Sequence, residues 1–135
     1  MMRLAELCIG NYVMVNGEIH MVTAIYGEKK AVSLDGREFL TYVNDLEPIP
    51  MSVELLEDAG FEEESVQDYH FRLWNSKDGR IEISYWIEDR TRDVHIDNES
   101  YETVGGCIFK YVHELQNMYT LCGYEVKFIV KGGRK

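Results

Sequence analysis

The chain has 135 residues, of which 45 % are apolar, enough for one ordinary domain or two very small ones and too many for global disorder. Its formal charge is −10, and residues 51–106 alone hold 15 acidic against 5 basic side chains, which disfavours a general phosphate-binding surface. No apolar run reaches the roughly 18 residues of a membrane span, residues 1–10 lack the pattern of a signal peptide, and Cys8, Cys107 and Cys122 sit too far apart for a disulfide framework or a C-x₂₋₄-C metal pair, so free thiols and a cytoplasmic location are expected.

The first 50 residues read as short strands joined by tight turns. After a lead-in at 4–7 and a break at Gly10-Asn11, residues 12–15 form a strand. Asn16-Gly17 is a hairpin signal, because both residues tolerate the positive φ of a type I′ turn. The return strand is 18–26, with Ile19, Met21, Thr23 and Ile25 on one face and Val22 and Ala24 on the other, so both faces are expected to be partly covered. Residues 30–34 and 37–43 give two more strands around the Asp35-Gly36 turn, and 44–49 adds a short edge piece. So many short strands bury an interior most simply by curling into a small barrel. Pro48-Ile49-Pro50 closes this unit, since proline cannot continue a central strand.

Ser52 then caps a short helix over 53–59, which Gly60 stops and onto which Phe61 folds back. Glu62-Glu63-Glu64 reads as a solvated loop. Strands follow near 68–74, 80–88 and 93–97; in the second, Ile81, Ile83, Tyr85 and Ile87 alternate with Glu82, Ser84, Trp86 and Glu88. Residues 98–106 read as a loop. The longest periodic segment is a helix near 110–122, with Tyr111, Leu115, Met118 and Cys122 on one stripe and His113, Glu114, Gln116, Asn117 and Thr120 largely off it. A last strand is expected over 124–130, then a basic tail. The predicted fold class is α+β: an SH3-like small β-barrel over 1–50, then over 51–135 an antiparallel sheet covered by one C-terminal helix.

Few residues point to chemistry. His113-Glu114 begins like the H-E-x-x-H zinc motif, but Asn117 stands where the second histidine would bind the metal. His113 and Asn117, one helical turn apart, are instead candidates for a contact surface. Arg72, Trp74 and Trp86, with His70 and His95, are expected to share one strand face that would suit a partner's aromatic group or a base. Neither a phosphate loop, a G-x-S-x-G elbow nor a Ca²⁺ loop occurs, and no cofactor is expected.

Three segments carry a resemblance: L-x-x-L-C-I-G-N-Y-V with V-N-G-E from Leu4, D-L-E-P-I-P-M-S-V-E-L-L-E-D-A-G-F from Asp45, and Y-V-H-E-L-Q-N-M-Y-T-L-C-G from Tyr111. Over most of its length the chain resembles a group of small uncharacterised proteins of Bacteroides-type gut bacteria and their prophages or mobile elements. The resemblance implies a bacterial or phage-encoded cytoplasmic protein, and brings no activity or cofactor with it. The expected role is a non-enzymatic protein-binding or adaptor module using Arg72, Trp74, Trp86, His113 and Asn117, with a homodimer compatible. One alternative is a nucleic-acid-binding accessory protein using Lys29, Lys30 and Arg37, or Lys127, Lys131, Arg134 and Lys135. Another is a small hydrolase built around acids or His95.

Overall fold

Two antiparallel sheets and two helices make up the computed structural model, which describes residues 2–65, 70–97 and 100–122. The first sheet has the order β1 (Tyr12–Val15), β2 (Glu18–Tyr26), β3 (Ala31–Leu34), β4 (Thr41–Tyr42). Asn16 and Gly17 both take positive φ, 50° and 82°, as a two-residue hairpin turn requires. An irregularity between Val22 and Ala24 puts β2 out of phase, so that Val22 and Ile25 both join the core of this unit. The strand expected over 37–43 is cut to Thr41–Tyr42, because Arg37 N–H still donates to Leu34 C=O and prolongs the turn. Past β4 the chain doubles back to β1, where Met14 and Glu47 exchange backbone hydrogen bonds of 2.8 Å in both directions. The sheet is thereby curled into a half-barrel around Val13, Val22, Val32, Leu34, Val43 and Leu46.

The link to the second unit is a short helix. Ser52 Oγ accepts from Leu55 N–H at 3.2 Å and starts α1 (Val53–Asp58). Gly60, at φ 93°, ends it, and Phe61 folds back with its N–H on Leu56 C=O.

The second sheet is a five-strand meander of β5 (Glu62–Glu64), β6 (Phe71–Asn75), β7 (Ile81–Trp86), β8 (Thr91–Asp97) and β9 (Thr103–Phe109). Two of these strands occupy stretches expected to be loops. β5 is wholly acidic and exposed, and Arg72 secures it with a two-pronged bond to the Glu63 carboxylate at 2.8 and 2.9 Å. β9 runs through Gly105-Gly106, where the glycines allow close approach rather than a break. A Cβ on Gly105 would stand 2.4 Å from Cys122 Sγ, and one on Gly106 would stand 2.7 Å from the Val94 carbonyl oxygen. The strand expected over 124–130 lies outside the described residues.

Helix α2 (Val112–Leu121) lies on the inner face of this sheet. Val112, Leu115 and Tyr119 meet Trp74, Ile81, Ile83, Val94, Ile96 and Phe109 in one core. Glu114 caps the helix, its Oε1 accepting from Lys110 and Tyr111 N–H at 2.8 and 3.0 Å. Its start is tied to the proline segment by Met51 N–H to Lys110 C=O and Val112 N–H to Ile49 C=O, each 2.9 Å. The first sheet is covered on its other side too: Tyr12, Met14 and Ile19 pack against the second core. β1 and β2 thus lie between two hydrophobic cores.

Candidate functional site

The second sheet has one face covered and one face open among the described residues. Which side chains lie on each follows from strand register. Asn75 pairs with Glu82 and Trp74 with Ile83, so an even position in β6 faces the same way as an odd position in β7. Arg72 and Trp74 therefore sit with Ile81, Ile83 and Tyr85 on the inner face. Phe71 and Leu73 sit with Ser84 and Trp86 on the outer face. The expected common face for Trp74 and Trp86 is thus split between the two sides. The cause is the six-residue span between Asn75 and Glu82, which inverts the phase of β6 relative to β7.

Each expected contact residue can now be placed. Trp74 is 1 % exposed, in the centre of the core. Arg72 lies over its ring, 4.8 Å from the centroid, and is clamped by Glu63. That hydrogen bond, first among the causes, and the facing charge hold the Glu63 carboxyl below its usual range and raise the Arg72 guanidinium. His113 is 1 % exposed; its Nε2 lies 3.2 Å from Glu6 Oε1, and its Nδ1 has no partner among the described residues. Asn117 is also engaged within the molecule. These two belong to a polar joint between α2 and the first unit. Asn117 Nδ2 donates to Glu6 C=O at 2.7 Å and its Oδ1 accepts from Asn11 Nδ2 at 2.8 Å. Gln116 Nε2 donates to Gly10 C=O at 3.0 Å, and its Oε1 accepts from Tyr12 N–H at 2.9 Å. The helix face read as a contact surface is therefore a contact surface for the chain's own N-terminal segment. Of the expected set, Trp86 alone is exposed, at 39 %.

Trp86 anchors the open face. Its ring lies 4.9 Å from that of Phe71, and its Nε1–H donates to Asp93 Oδ2 at 2.8 Å. Leu73 is next to Phe71 on this side, and Ile108 of β9, 69 % exposed, lies on the same face beyond Ser84 and Asp93. The same register puts Glu62 and Glu64 of β5, Glu82 of β7, and Asp93, His95 and Asp97 of β8 around these residues. The surface is thus a small aromatic and aliphatic group, Phe71, Leu73 and Trp86, flanked by acidic side chains of β5, β7 and β8. Phe71, Leu73 and Ile108 were missing from the expected site. Counting residues across the β6–β7 turn would have found the first two; Ile108 lay behind a glycine pair read as a loop.

The geometry also bears on the alternatives. Thr103 Oγ1 donates to Asp97 Oδ1 at 3.2 Å, so His95 Nε2, 2.7 Å away, is the donor to Thr103 rather than a base poised to take its proton. The three side chains satisfy one another on an exposed surface. Among the described residues no group of three or more histidine, cysteine or acidic side chains is placed to hold a metal ion. Cys107 and Cys122 are unpaired thiols, and burial pushes both upward in pKa, with Glu114 and Cys122 adding to the effect on Cys107. Lys29 and Lys30 stand at one end of β3 and Arg37 at the other, so they do not form a single stripe. Lys127, Lys131, Arg134 and Lys135 lie outside the described residues. No helix among the described residues is long and apolar enough to cross a membrane. Comparison with known proteins finds no matching family model, no matching curated protein and no matching solved structure.

Proposed function

We propose that this protein is a non-enzymatic binding or adaptor module that captures a basic protein segment on the open face of its second sheet. The observation that carries this reading is the group of Phe71, Leu73 and Trp86 flanked by acidic side chains on the open face. Apolar centres with aromatic anchors supply binding energy, while the charged rim selects the partner. A second copy of the chain suits this face less well, because two acidic borders would meet. We read the curled first sheet as a small barrel of the SH3 type, an architecture that serves binding in general and specifies no partner by itself. We also place the protein in a bacterial cytoplasm, on the strength of its free thiols and the resemblance of its three segments to small bacterial and prophage proteins.

The test is a peptide-display selection with the intact protein. Enriched peptides should join aromatic or branched aliphatic residues to lysine or arginine, and should lose most binding to a Trp86→Ala, Leu73→Ser variant that still unfolds cooperatively. Enrichment of acidic peptides, or of peptides indifferent to the double substitution, would refute the assignment of this face.

A further inference from the structure

A second feature lies in the first unit, away from the sheet face just described. The N-terminal 3₁₀ turn, Leu4–Glu6, leaves a cavity of about 650 Å³ between itself, β2 and the turn after β4. Much of its lining is apolar, with Met2, Leu7 and Val43 buried and Ile25 half-buried, and Asn44 adds a polar group; it is open to solvent on one side. Exposed Arg3 and Lys30 are among the residues that line it. No acidic side chain is among the residues that form it.

That distribution of charge is unusual for this chain, which carries 24 acidic against 14 basic side chains. Arg3 uses only its Nε toward Glu6 Oε2, at 3.2 Å, and is 80 % exposed. Lys30 has no ion-pair partner among the described residues. Its backbone is committed, with φ at 49° and its carbonyl accepting from Val43 N–H at 2.9 Å, so the base of the side chain is anchored at the cavity edge. The volume lies within the range of about 300–1,000 Å³ found for small-molecule sites, which are mostly apolar with a few polar groups that fix orientation.

We propose that this cavity binds a small amphiphilic carboxylate, such as a medium-chain alkanoate, with its chain against Met2, Leu7, Ile25 and Val43 and its carboxylate between Arg3 and Lys30. An apolar body satisfies the apolar lining, where an unpaired polar group would be costly. A single negative charge satisfies the two lining cations, and the guanidinium geometry favours a planar carboxylate. A basic ligand lacks one of these matches, because it meets two like charges.

The experiment titrates decanoate and, separately, decanol into the full chain, followed by amide chemical shifts and calorimetry. Saturable one-to-one binding of decanoate is expected, with shifts concentrated at Leu4, Ile25 and Val43. Decanol should bind at least tenfold more weakly. Lys30→Glu should weaken decanoate about tenfold, corresponding to roughly 1.4 kcal/mol, with little change for decanol. Lys30→Gln, which removes the cation without adding charge, should give an intermediate loss and guards against misfolding of the charge-reversed variant. Absence of saturable binding, shifts spread over the second sheet, or equal affinity for decanol and decanoate would overturn the proposal. None of these outcomes alters the reading of the Trp86 face, whose selection uses a different surface.

Discussion

At the scale of single residues, the two tryptophans differ in what their removal should cost. Trp74 fills the core, so Trp74→Ala removes a large buried ring and should cost about 3–5 kcal/mol in chemical unfolding. Trp86→Ala loses a ring contact and one hydrogen bond at a partly exposed site and should cost about 1 kcal/mol. Equal costs would mean that the faces of the second sheet have been assigned wrongly. Asn117 and Gln116 behave unlike surface amides. Truncating either to Ala leaves Glu6 C=O, Asn11, Gly10 C=O or Tyr12 N–H without a partner in a part-buried joint, and about 1–3 kcal/mol should be lost. Glu6 adds a pH signature. Burial, the largest influence, pushes its carboxyl upward, but hydrogen bonds and charges from Arg3 and His113 together outweigh it and hold the carboxyl below the ordinary 4.5. The unfolded chain therefore binds the proton more readily than the folded one. The stabilisation is complete above the ordinary value and is lost as pH falls through the lower folded one. Glu6→Gln should flatten that acid limb in pH-dependent melting, and an unchanged limb would remove Glu6 from the account.

At the scale of elements, α2 has two working sides. Its apolar side was legible in part from period: the stripe read from Tyr111, Leu115, Met118 and Cys122 carries Leu115 into the core with Met118 and Cys122 packed on its edge, while Val112 and Tyr119, which only widened that stripe, fill the core. Its polar side was legible as polar but not as buried. Nothing in a run of His, Gln and Asn tells solvent from a facing backbone, and the partners at Glu6, Gly10 and Tyr12 are over a hundred residues away. The first hairpin was legible because Asn16-Gly17 dictates its own turn. β9 was not, because Gly105-Gly106 has the local character of a break. Its reason for being glycine is tertiary, the close passage of Cys122 and the Val94 carbonyl. Gly105→Ala should therefore displace the last turn of α2 and lower the unfolding midpoint, while Gly79→Ala, at φ 74° in an exposed turn with open space around it, should show only the backbone cost of about 1 kcal/mol. If the two variants cost the same, the tight helix–strand approach is not the constraint. The candidate site was only partly readable from the sequence. Trp86 was found by alternation within its own strand, whereas Phe71 and Leu73 needed the register between strands.

At the scale of the whole molecule, the boundary at Pro48–Pro50 divides the chain in sequence more than in energy. β1 and β2 contribute Val13 and Val22 to one core and Tyr12, Met14 and Ile19 to the flank of the other. The backbone ties from Ile49 and Met51 to the start of α2 and the Asn11–Asn117 joint cross the same boundary. Heat or denaturant should therefore unfold both units in one transition, with tryptophan fluorescence, which reports the second sheet, coinciding with far-ultraviolet dichroism, which reports both. Two resolved transitions would show that the units are independent. A fragment ending at residue 50 should fold poorly, since it loses the cover over Tyr12, Met14 and Ile19.

The joint between the units has one further consequence. Most of its hydrogen bonds come from carboxamides and peptide groups, which carry no net charge, whereas the border around Trp86 is built of carboxylates. Raising the ionic strength should leave the architecture almost untouched while screening attraction at that border. If that face captures a basic partner as proposed, a simple series in potassium chloride should weaken the capture in a protein that stays whole, without altering a single residue.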